Sequence, residues 1–525
     1  MARFNIRISR SSGSSPVKSI GPATATHEGG AGFLRDEKSE LFLLAVTNMV
    51  GQDTFYETGR RRDDRYSALV RELAVQDPQW AASLLSWLRQ EANLRTAALV
   101  GAAEFTRGRL DAQAPGHSRQ VIASVLRRAD EPGELLAYWT SRYGRNLPKP
   151  VKRGIADAVQ RLYTERNLLK YDTATKGYRF GDVLELVHAS PAADKPWQGP
   201  LFKHAIDRRH GREGQIPTDL RMVAKRAELT ALPLAERRAL LDRPEGREEL
   251  AQAGMAWETL AGWLQGPMDA KVWEAVIPSM GYMALLRNLR NFDEAGVSDA
   301  TAEAVADRIA DPAEVARSRQ LPFRFLAAYR HAPSLRWGHA LEQGLGHSLA
   351  GVPVLPGRTL VLVDRSGSMF YGISERTQLN RADSAAVFGT AVALRAERAD
   401  LVEFGTTSRR IRTRRGESVL RVLERFTNLG GTNTTEAVRT HYRGHDRVLI
   451  VTDEQASYHY DGDPTAVVPP HVPVYTWNLA GYQAGHGPSD GGNRHTFGGL
   501  TDAAFRTVPL LERGRDAGWP WEERG

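Results

Sequence analysis

The sequence Leu360-Val-Leu-Val-Asp-Arg-Ser-Gly-Ser368 gives the clearest indication of the fold. An apolar run ends in Asp364, and Ser366 and Ser368 follow in the pattern Asp-x-Ser-x-Ser. A turn that closes a buried strand can hold one carboxylate and two hydroxyls on the same side, and these hard oxygen ligands suit Mg²⁺ or another divalent cation. The stretch therefore predicts a buried strand followed by a cation-binding loop.

Two further segments offer the remaining ligands. Gly430-Gly-Thr-Asn-Thr434 precedes a helical pattern, and Val448-Leu-Ile-Val-Thr-Asp453 is a second apolar strand that ends in an aspartate. Strand ends on one edge of an open parallel sheet converge on one crevice, so Asp364 and Asp453 are expected to meet there. Asp, Ser and Gly also form turns without a metal, but these segments have the strand and helix context that a cation site needs.

Together these residues resemble the von Willebrand factor A domain and its metal-ion-dependent adhesion site. Carried over by position, the resemblance implies the metal ligands Asp364, Ser366, Ser368, Thr432 and Asp453. Thr434 is the second choice for the threonine. Such sites leave one coordination position open for an acidic group. The resemblance thus implies Mg²⁺ or another divalent cation as cofactor, and an acidic ligand bound to it.

Composition sets wider limits. A chain of 525 residues exceeds the size at which single cores stop growing, so two domains are expected. No run approaches the roughly 18 apolar residues of a membrane span, and no membrane partner is expected. The first ten residues lack the apolar core of a secretory signal, which predicts a cytoplasmic protein. The absence of cysteine excludes disulfides, zinc-thiolate sites and iron–sulfur clusters.

The chain divides into three regions. Residues 1–30 are rich in Ser, Gly, Pro and Thr, which predicts a flexible N-terminal arm. Residues 31–355 show repeated helical periodicity, with Pro and Gly at helical-hairpin intervals, which predicts an all-α array of helix pairs. In residues 356–525 strands alternate with helices, which predicts a doubly wound α/β domain. The stretch Gly481–Gly499, with seven glycines, is predicted to be a mobile loop.

The helical region carries a second resemblance. Met280-Gly-Tyr-Met-Ala-Leu-Leu-Arg-Asn-Leu289 looks like the signature of the TROVE module of the Ro autoantigen family, and Phe180–His188 looks like another segment of that family. The chain is identified as a bacterial member of this family with a C-terminal von Willebrand A domain. The resemblance implies a ring of HEAT-like helical repeats, closed by the domain that bears the metal site.

The same resemblance implies a function. Small noncoding Y RNAs would bind outside the ring, and single-stranded ends of noncoding RNA would bind in its central hole. The protein would be monomeric within a ribonucleoprotein that takes part in RNA quality control or processing. An exoribonuclease is a further candidate partner.

Basic residues are concentrated in one part of the helical region, and such a concentration suits the binding of RNA. Between Arg142 and Arg212 there are 15 basic and 7 acidic residues, a density that can hold phosphates. Aromatic rings and imidazole among them can stack on unpaired bases. Lys170 and His188 are expected to contact Y RNA by their match to the family segments. The full set of predicted RNA-binding residues is Lys149, Lys152, Arg153, Lys170, Tyr171, His188, Arg208 and Arg209.

Structural alternatives exist for the same residues. A solvated helical face explains the charge density equally well. His188 could be a satisfied histidine at a helix end, and the Arg208–Arg209 pair could be a solvated helix terminus.

No catalytic residue is predicted. The sequence contains no Walker-type phosphate loop, no His-Glu-x-x-His and no Gly-x-Ser-x-Gly elbow in a strand-turn-helix setting. Two aspartates among hydroxyls are too few carboxylates for a two-metal nuclease, so binding is favoured over hydrolysis. The alternative function is a metal-dependent protein-interaction scaffold that binds no RNA.

Overall fold

The computed structural model describes residues 13–47, 50–212, 214–243, 245–332, 334–372, 380–414, 416–457, 462–499 and 503–522. The chain forms two compact units. The first consists of the described residues within Met1–Leu69, Val315–Arg330 and His339–Gly525, and the second of those within Val70–Glu314 and His331–Gly338. These units differ from the limits predicted from the sequence, because the first unit contains, besides the α/β domain, the described residues of 31–69 and residues 315–330 and 339–355.

Helices account for every described element between residues 37 and 348 apart from two short 3₁₀ turns. The helices are α1 (Glu37–Thr47), α2 (Gly59–Gln76), α3 (Pro78–Gln90), α4 (Arg95–Asp111), α5 (Ser118–Val125), α6 (Glu131–Tyr143), α7 (Lys149–Leu162), α8 (Glu165–Tyr171), α9 (Phe180–Val187), α10 (Gln198–Arg209), α11 (Arg221–Ala231), α12 (Leu234–Ala239), α13 (Gly246–Gln252), α14 (Trp257–Leu264), α15 (Ala270–Val276), α16 (Tyr282–Ala295), α17 (Asp299–Ala310), α18 (Pro312–Ser318), α19 (Pro322–His331) and α20 (Leu335–Ser348). None of these described helices is long and apolar enough to cross a bilayer.

Neighbouring helices of the second unit pack closely. α5 packs on α7, and α7 on α9. Gly154 of α7 is needed for the first contact, because a Cβ at this position would come within 2.8 Å of the Ile122 side chain. Helices such as α3, α7 and α16 bury the apolar face that their periodicity predicts, and neighbouring helices pack on one another, so the array of packed helices is confirmed.

The first unit contains a six-stranded sheet in the order β5-β4-β3-β6-β7-β9. Its strands are β3 (Arg358–Asp364), β4 (Arg398–Phe404), β5 (Ser408–Ile411), β6 (Arg447–Thr452), β7 (Val474–Asn478) and β9 (Arg494–Gly498). The remaining strands of the unit are β1 (Ser19–Ala25), β2 (Ala31–Arg35) and β8 (Ala484–Gly485), and the remaining helices are α21 (Arg381–Arg395), α22 (Val419–Leu423), α23 (Thr434–His441) and α24 (Val508–Glu512). All neighbouring pairs of the six-stranded sheet are parallel except β4–β5.

Helices cover both faces of this sheet. Alternate residues of a strand point to opposite faces, and β3 is buried on both. Leu360 and Leu362 share a core with Val438 of α23, whereas Val361 and Val363 lie against Gly389 of α21. The predicted doubly wound α/β domain is therefore confirmed.

The prediction of a mobile loop at Gly481–Gly499 is wrong. Strand β9 lies within this stretch, pairs in parallel with β7 and is buried throughout. Turn residues before it, Gly492 and Asn493, adopt positive φ and bring the chain back to the sheet edge. The glycines thus serve turns and close packing rather than mobility.

The predicted flexible arm is also different in the structure. β1 pairs with β2, and β2 pairs with β8 of the α/β domain. Arg35 at the end of β2 forms a buried ion pair with Glu454, 2.9 Å apart. Backbone pairing and this ion pair order the segment from residue 13 onward, and the composition of the segment does not reveal either. The first twelve residues of the predicted arm lie outside the described residues.

Candidate functional site

The Asp-x-Ser-x-Ser loop gathers its oxygens at the carboxyl end of β3. The Ser366 amide donates to Asp364 Oδ1 at 2.8 Å, and Thr452 Oγ1 donates to Asp364 Oδ2 at 2.6 Å. The hydroxyl oxygens of Ser366 and Ser368 are 3.3 Å apart. The loop therefore presents one carboxylate and two hydroxyls together.

Asp453, after β6, lies beside this loop. Its Oδ1 accepts from the Gln455 amide at 3.1 Å, and Ser368 lies close enough to lower the pKa of this carboxyl group. Its Oδ2 is buried and has no hydrogen-bond partner among the described residues. Burial and the neighbouring Asp364 raise the pKa of Asp453 to about 7, and burial also raises the pKa of Asp364. Two buried carboxylates with an unpaired oxygen are costly alone, and a bound cation would compensate them.

The Gly430–Thr434 turn packs against the same loop. The Gly367 amide donates to the Gly430 carbonyl at 2.5 Å. Thr432 and Thr434 are both buried, and Thr434 Oγ1 lacks a partner among the described residues. Within the described part of the chain there is no group of three or more His, Asp or Glu residues placed to hold a metal. The donors that could hold a cation here are thus two carboxylates and several hydroxyls, as in the set predicted from the sequence.

Sequence reasoning missed residues of the N-terminal segment at this site. The Tyr56 hydroxyl bonds the Glu28 carboxylate, and Ser368 lies close enough to influence the pKa of Tyr56. Thr26 Oγ1 donates to the Ala456 carbonyl at 2.8 Å. More than 300 residues separate Tyr56 from Ser368 in the sequence, and no local pattern signals their contact.

The predicted RNA-binding residues lie in two separate groups. The first, which we call the α7 cluster, consists of Lys149, Lys152 and Arg153 in the first turns of α7. Lys149 and Arg153 are exposed, and no ion pair joins the three side chains to any carboxylate that the structure describes. Cations at a helix N-terminus oppose the helix dipole, so the protein itself does not stabilise this cluster.

The second group surrounds the buried Asp172 carboxylate. Lys170 Nζ and Arg128 Cζ lie 5.2 and 5.5 Å from the centre of the Tyr171 ring. Arg208 lies 3.7 Å from Asp172. The charge of this second group is therefore partly compensated within the protein.

Arg209 is also paired. Its Nε is 2.8 Å from the Asp182 carboxylate of α9, and the guanidinium holds α10 against α9. Arg208 and Arg209 are thus paired with carboxylates of the protein, which differs from the solvated helix terminus considered as an alternative.

His188 is the remaining predicted RNA-binding residue. It follows α9 in a left-handed conformation with φ 54°, and its side chain is exposed.

The two groups lie at opposite ends of α7. Tyr163, just after α7, stacks on Phe180 with ring centroids 3.8 Å apart, and the Phe180 amide donates to Asp172, which places the second group at the carboxyl end of α7. The 14 residues of α7 span about 21 Å at 1.5 Å per residue, so the predicted residues do not form one contiguous contact.

The two units define a class of protein that combines an array of packed helices with an α/β domain, and carboxylate and hydroxyl oxygens lie at one edge of the sheet of that domain. Residues 218–335 match the family model of the TROVE domain. This part of the chain is therefore similar to the TROVE domain.

Individual proteins agree with this placement. The chain is 26% identical over 369 residues to "RNA-binding protein RO60" of Deinococcus radiodurans, an alignment that covers 66% of this chain and 65% of the relative. The chain thus spans just under two thirds of the length of this curated relative. Its fold is similar to the crystal structure of the Deinococcus radiodurans RO (RSR) protein, with a TM-score of 0.62 at 19% identity, covering 91% of this chain and all of the other.

The TROVE match contains the sequence signature but not the predicted RNA-binding residues, all of which precede residue 218. Within the signature, Asn288 is buried, and its Nδ2 donates to the Ala284 carbonyl at 2.8 Å. Asn291 in turn donates to Asn288 Oδ1 at 2.8 Å. The signature thus has a structural role within α16.

Proposed function

We propose that this protein binds RNA through its helical module, and that its ligands are small noncoding RNA of the Y type and the single-stranded ends of noncoding RNA. It would act as a ribonucleoprotein in RNA quality control or processing. The match to the TROVE domain and the name of the Deinococcus radiodurans relative support RNA as the ligand. The structural observation that carries the proposal is the α7 cluster.

A bound anion would stabilise the α7 cluster. Lys149, Lys152 and Arg153 repel one another, and the amide groups at the start of α7 add positive potential. Phosphates bound here would offset both the repulsion among the three cations and the positive potential of the amide groups. They would also release condensed counterions. The surface around Lys170, Tyr171 and His188 would add stacking and further charge.

We further propose that the loop binds Mg²⁺ or a similar divalent cation. Asp364, Ser366, Ser368 and Asp453 would hold the cation, with Thr432 or Thr434 as a further ligand. Buried Asp453 Oδ2, which lacks a hydrogen-bond donor, supports this assignment. The proposal gives the protein no catalytic step and leaves any trimming of bound RNA to a partner exoribonuclease.

Removal of Asp453 should abolish cation binding. We expect Asp453→Ala to weaken Mg²⁺ and Mn²⁺ binding by more than about 100-fold, the upper end of losses seen when only a supporting residue is removed. Isothermal titration, or the paramagnetic signal of Mn²⁺, measures this change. Glu436→Ala, which removes a half-exposed carboxylate of α23, is the control and should bind as the parent does. Equal affinity of the two variants would show that the cation binds elsewhere.

Charge reversal at Lys170 combined with His188→Ala should weaken binding of small structured RNA. The variant loses one phosphate contact and one stacking or edge contact, so we expect about a tenfold loss and a salt dependence that is flatter by about one phosphate. A filter-binding series across salt concentrations measures both. Binding that is unchanged at every salt concentration would remove this surface from the interface.

Copurification separates RNA binding from the protein-scaffold alternative. Protein purified from its native cell should show a raised ratio of absorbance at 260 to 280 nm, and the copurified RNA can be sequenced. A ratio typical of pure protein, with no RNA recovered, would favour the scaffold.

A further inference from the structure

Two exposed aromatic rings stand beside the metal loop. Among the large hydrophobic side chains that the structure describes as exposed, only Phe55 and Tyr371 are aromatic, with 53% and 41% of their surface accessible. Their ring centroids are 6.5 Å apart, and the rings are nearly perpendicular. Adjacent exposed aromatic rings are unusual away from binding surfaces.

Further rings connect this pair to the cation ligands. Tyr56 packs on Phe55 with centroids 4.8 Å apart, stacks on His27 at 5.0 Å, and contacts Tyr482 at 5.5 Å. Ser368 influences the pKa of Tyr56, which places the two side chains close together. The Tyr371 amide donates to the Ser368 carbonyl at 3.4 Å. The aromatic cluster therefore packs beside the metal loop in the first unit, and its exposed rings, Phe55 and Tyr371, lie at the surface.

Positive charge borders this surface. Arg60 and Arg61 begin α2, a few residues after Phe55, and both are exposed. The pKa of His27 is lowered, mainly by its burial, and the charge of Arg61 acts in the same direction. Arg61 is therefore within electrostatic range of the aromatic cluster.

We propose that this surface binds one nucleotide of a single-stranded RNA, with its phosphate at the open position of the cation and its base stacked on the face of one of the rings, Phe55 or Tyr371, and packed against the other. The inference rests on the proposed binding of RNA and of a divalent cation. It makes the acidic ligand of the metal site a phosphate of the RNA itself.

The combination of groups favours RNA over an acidic peptide. A carboxylate of a peptide would fill the cation's open position, but it would leave the two exposed rings without a partner of their own. A nucleotide supplies an anion and a flat ring together, and every base has a face that stacks. Repeated phosphates along the strand would also meet Arg60 and Arg61.

The test uses the full chain and a short single-stranded RNA that carries 2-aminopurine next to a terminal phosphate. Stacking quenches this base, so we expect quenching with Mg²⁺ and its loss with a chelator. The double variant Phe55→Leu, Tyr371→Leu should bind about tenfold to a hundredfold more weakly, the range of stacking on aromatic side chains. Phe55→Trp with Tyr371→Phe should restore quenching.

Two controls isolate the stacking contact. Val354→Ala alters an exposed apolar side chain at the other end of β3 and should leave quenching unchanged. An abasic nucleotide at the probe position should weaken binding to the parent protein but not to the double Leu variant.

The outcomes also separate this inference from the proposed function. If the chain binds no RNA at all, both fail. If it binds small structured RNA but the probe is quenched equally with and without Mg²⁺, or equally in the double Leu variant, only this inference is overturned. Mg²⁺-dependent binding of a peptide containing Glu and Phe, with no binding of the RNA probe, would also overturn it and make the surface a protein-docking site.

Discussion

Charge reversal of the α7 cluster, in the triple variant Lys149→Glu, Lys152→Glu, Arg153→Glu, is expected to weaken binding of small structured RNA by about 100-fold or more near 0.1 M salt. The three cations are at the surface, and no described carboxylate pairs with them. They lie at the positive end of the helix dipole, so that both the side chains and the dipole attract a bound anion. The variant replaces this attraction with repulsion.

The salt dependence should change with the affinity. Each phosphate contact contributes about 0.7 to 0.9 to the slope of log affinity against log salt concentration. Loss of three contacts should reduce the slope by about two to three. The fold should remain intact, because acidic residues in the first turn of a helix interact favourably with its dipole. Binding titrations at several salt concentrations, together with circular dichroism, measure these effects.

A matched variant controls for net charge. Arg107, Lys203 and Arg290 each pair with a carboxylate four residues later in the same helix. Their triple replacement by Glu changes the net charge equally but removes no unpaired cation. We expect at most a small effect on affinity from this control. Equal losses in both variants would mean that RNA responds to net charge rather than to the α7 cluster.

Arg35→Met is expected to destabilise the packing of the N-terminal segment on the α/β domain by about 3–5 kcal/mol, the usual cost of breaking a buried ion pair from one side. Both side chains of the Arg35–Glu454 pair are 1% exposed. Arg35 also donates to the Gly487 carbonyl at 3.0 Å and to Thr496 Oγ1 at 3.2 Å. The substitution leaves the Glu454 carboxylate buried, with Asn478 as its remaining side-chain partner.

Hydrogen exchange resolves this effect by region. Amides of β1 and β2 should exchange faster in Arg35→Met than in the parent, since their protection depends on the free energy of local opening. Lys18→Met is the control, because Lys18 pairs with Asp490 at 3.5 Å on the surface, with half of its side chain exposed. Surface pairs contribute about 0–1 kcal/mol. Equal protection in both variants would show that β2 does not depend on its ion pair.

Much of the α/β domain could be predicted from the sequence because its signals are local. The run before Asp364 is apolar at every position, as a central parallel strand buried on both faces requires. In β6 the residues 448–451 are likewise apolar, and Thr452 separates them from Asp453. Strand β9 was missed, since Arg494 and His495 interrupt its apolar character although both are buried. Its burial depends on Tyr475, which stacks on His495 at 5.5 Å.

The residues of the candidate sites could be predicted from the sequence only in part. It named Asp364, Ser366, Ser368 and Asp453, because strand ends of a parallel sheet share one edge. The sequence places Lys149 and Lys170 in one basic window. It could not show that the two lysines lie at opposite ends of α7. It also could not show that Arg209 is already paired with Asp182.

The sequence alone was sufficient to predict the kind of each unit and the candidate oxygen ligands at the sheet edge, since strand burial, helical periodicity and the Asp-x-Ser-x-Ser spacing are properties of neighbouring residues. The tertiary structure was needed to show that the N-terminal segment belongs to the α/β domain and brings Phe55 and Tyr56 close to the Asp-x-Ser-x-Ser loop. The buried Arg35–Glu454 pair and the short distance between Tyr56 and Ser368 are part of that arrangement. Such contacts join residues hundreds of positions apart, and their energies arise from burial and geometry that no local pattern encodes.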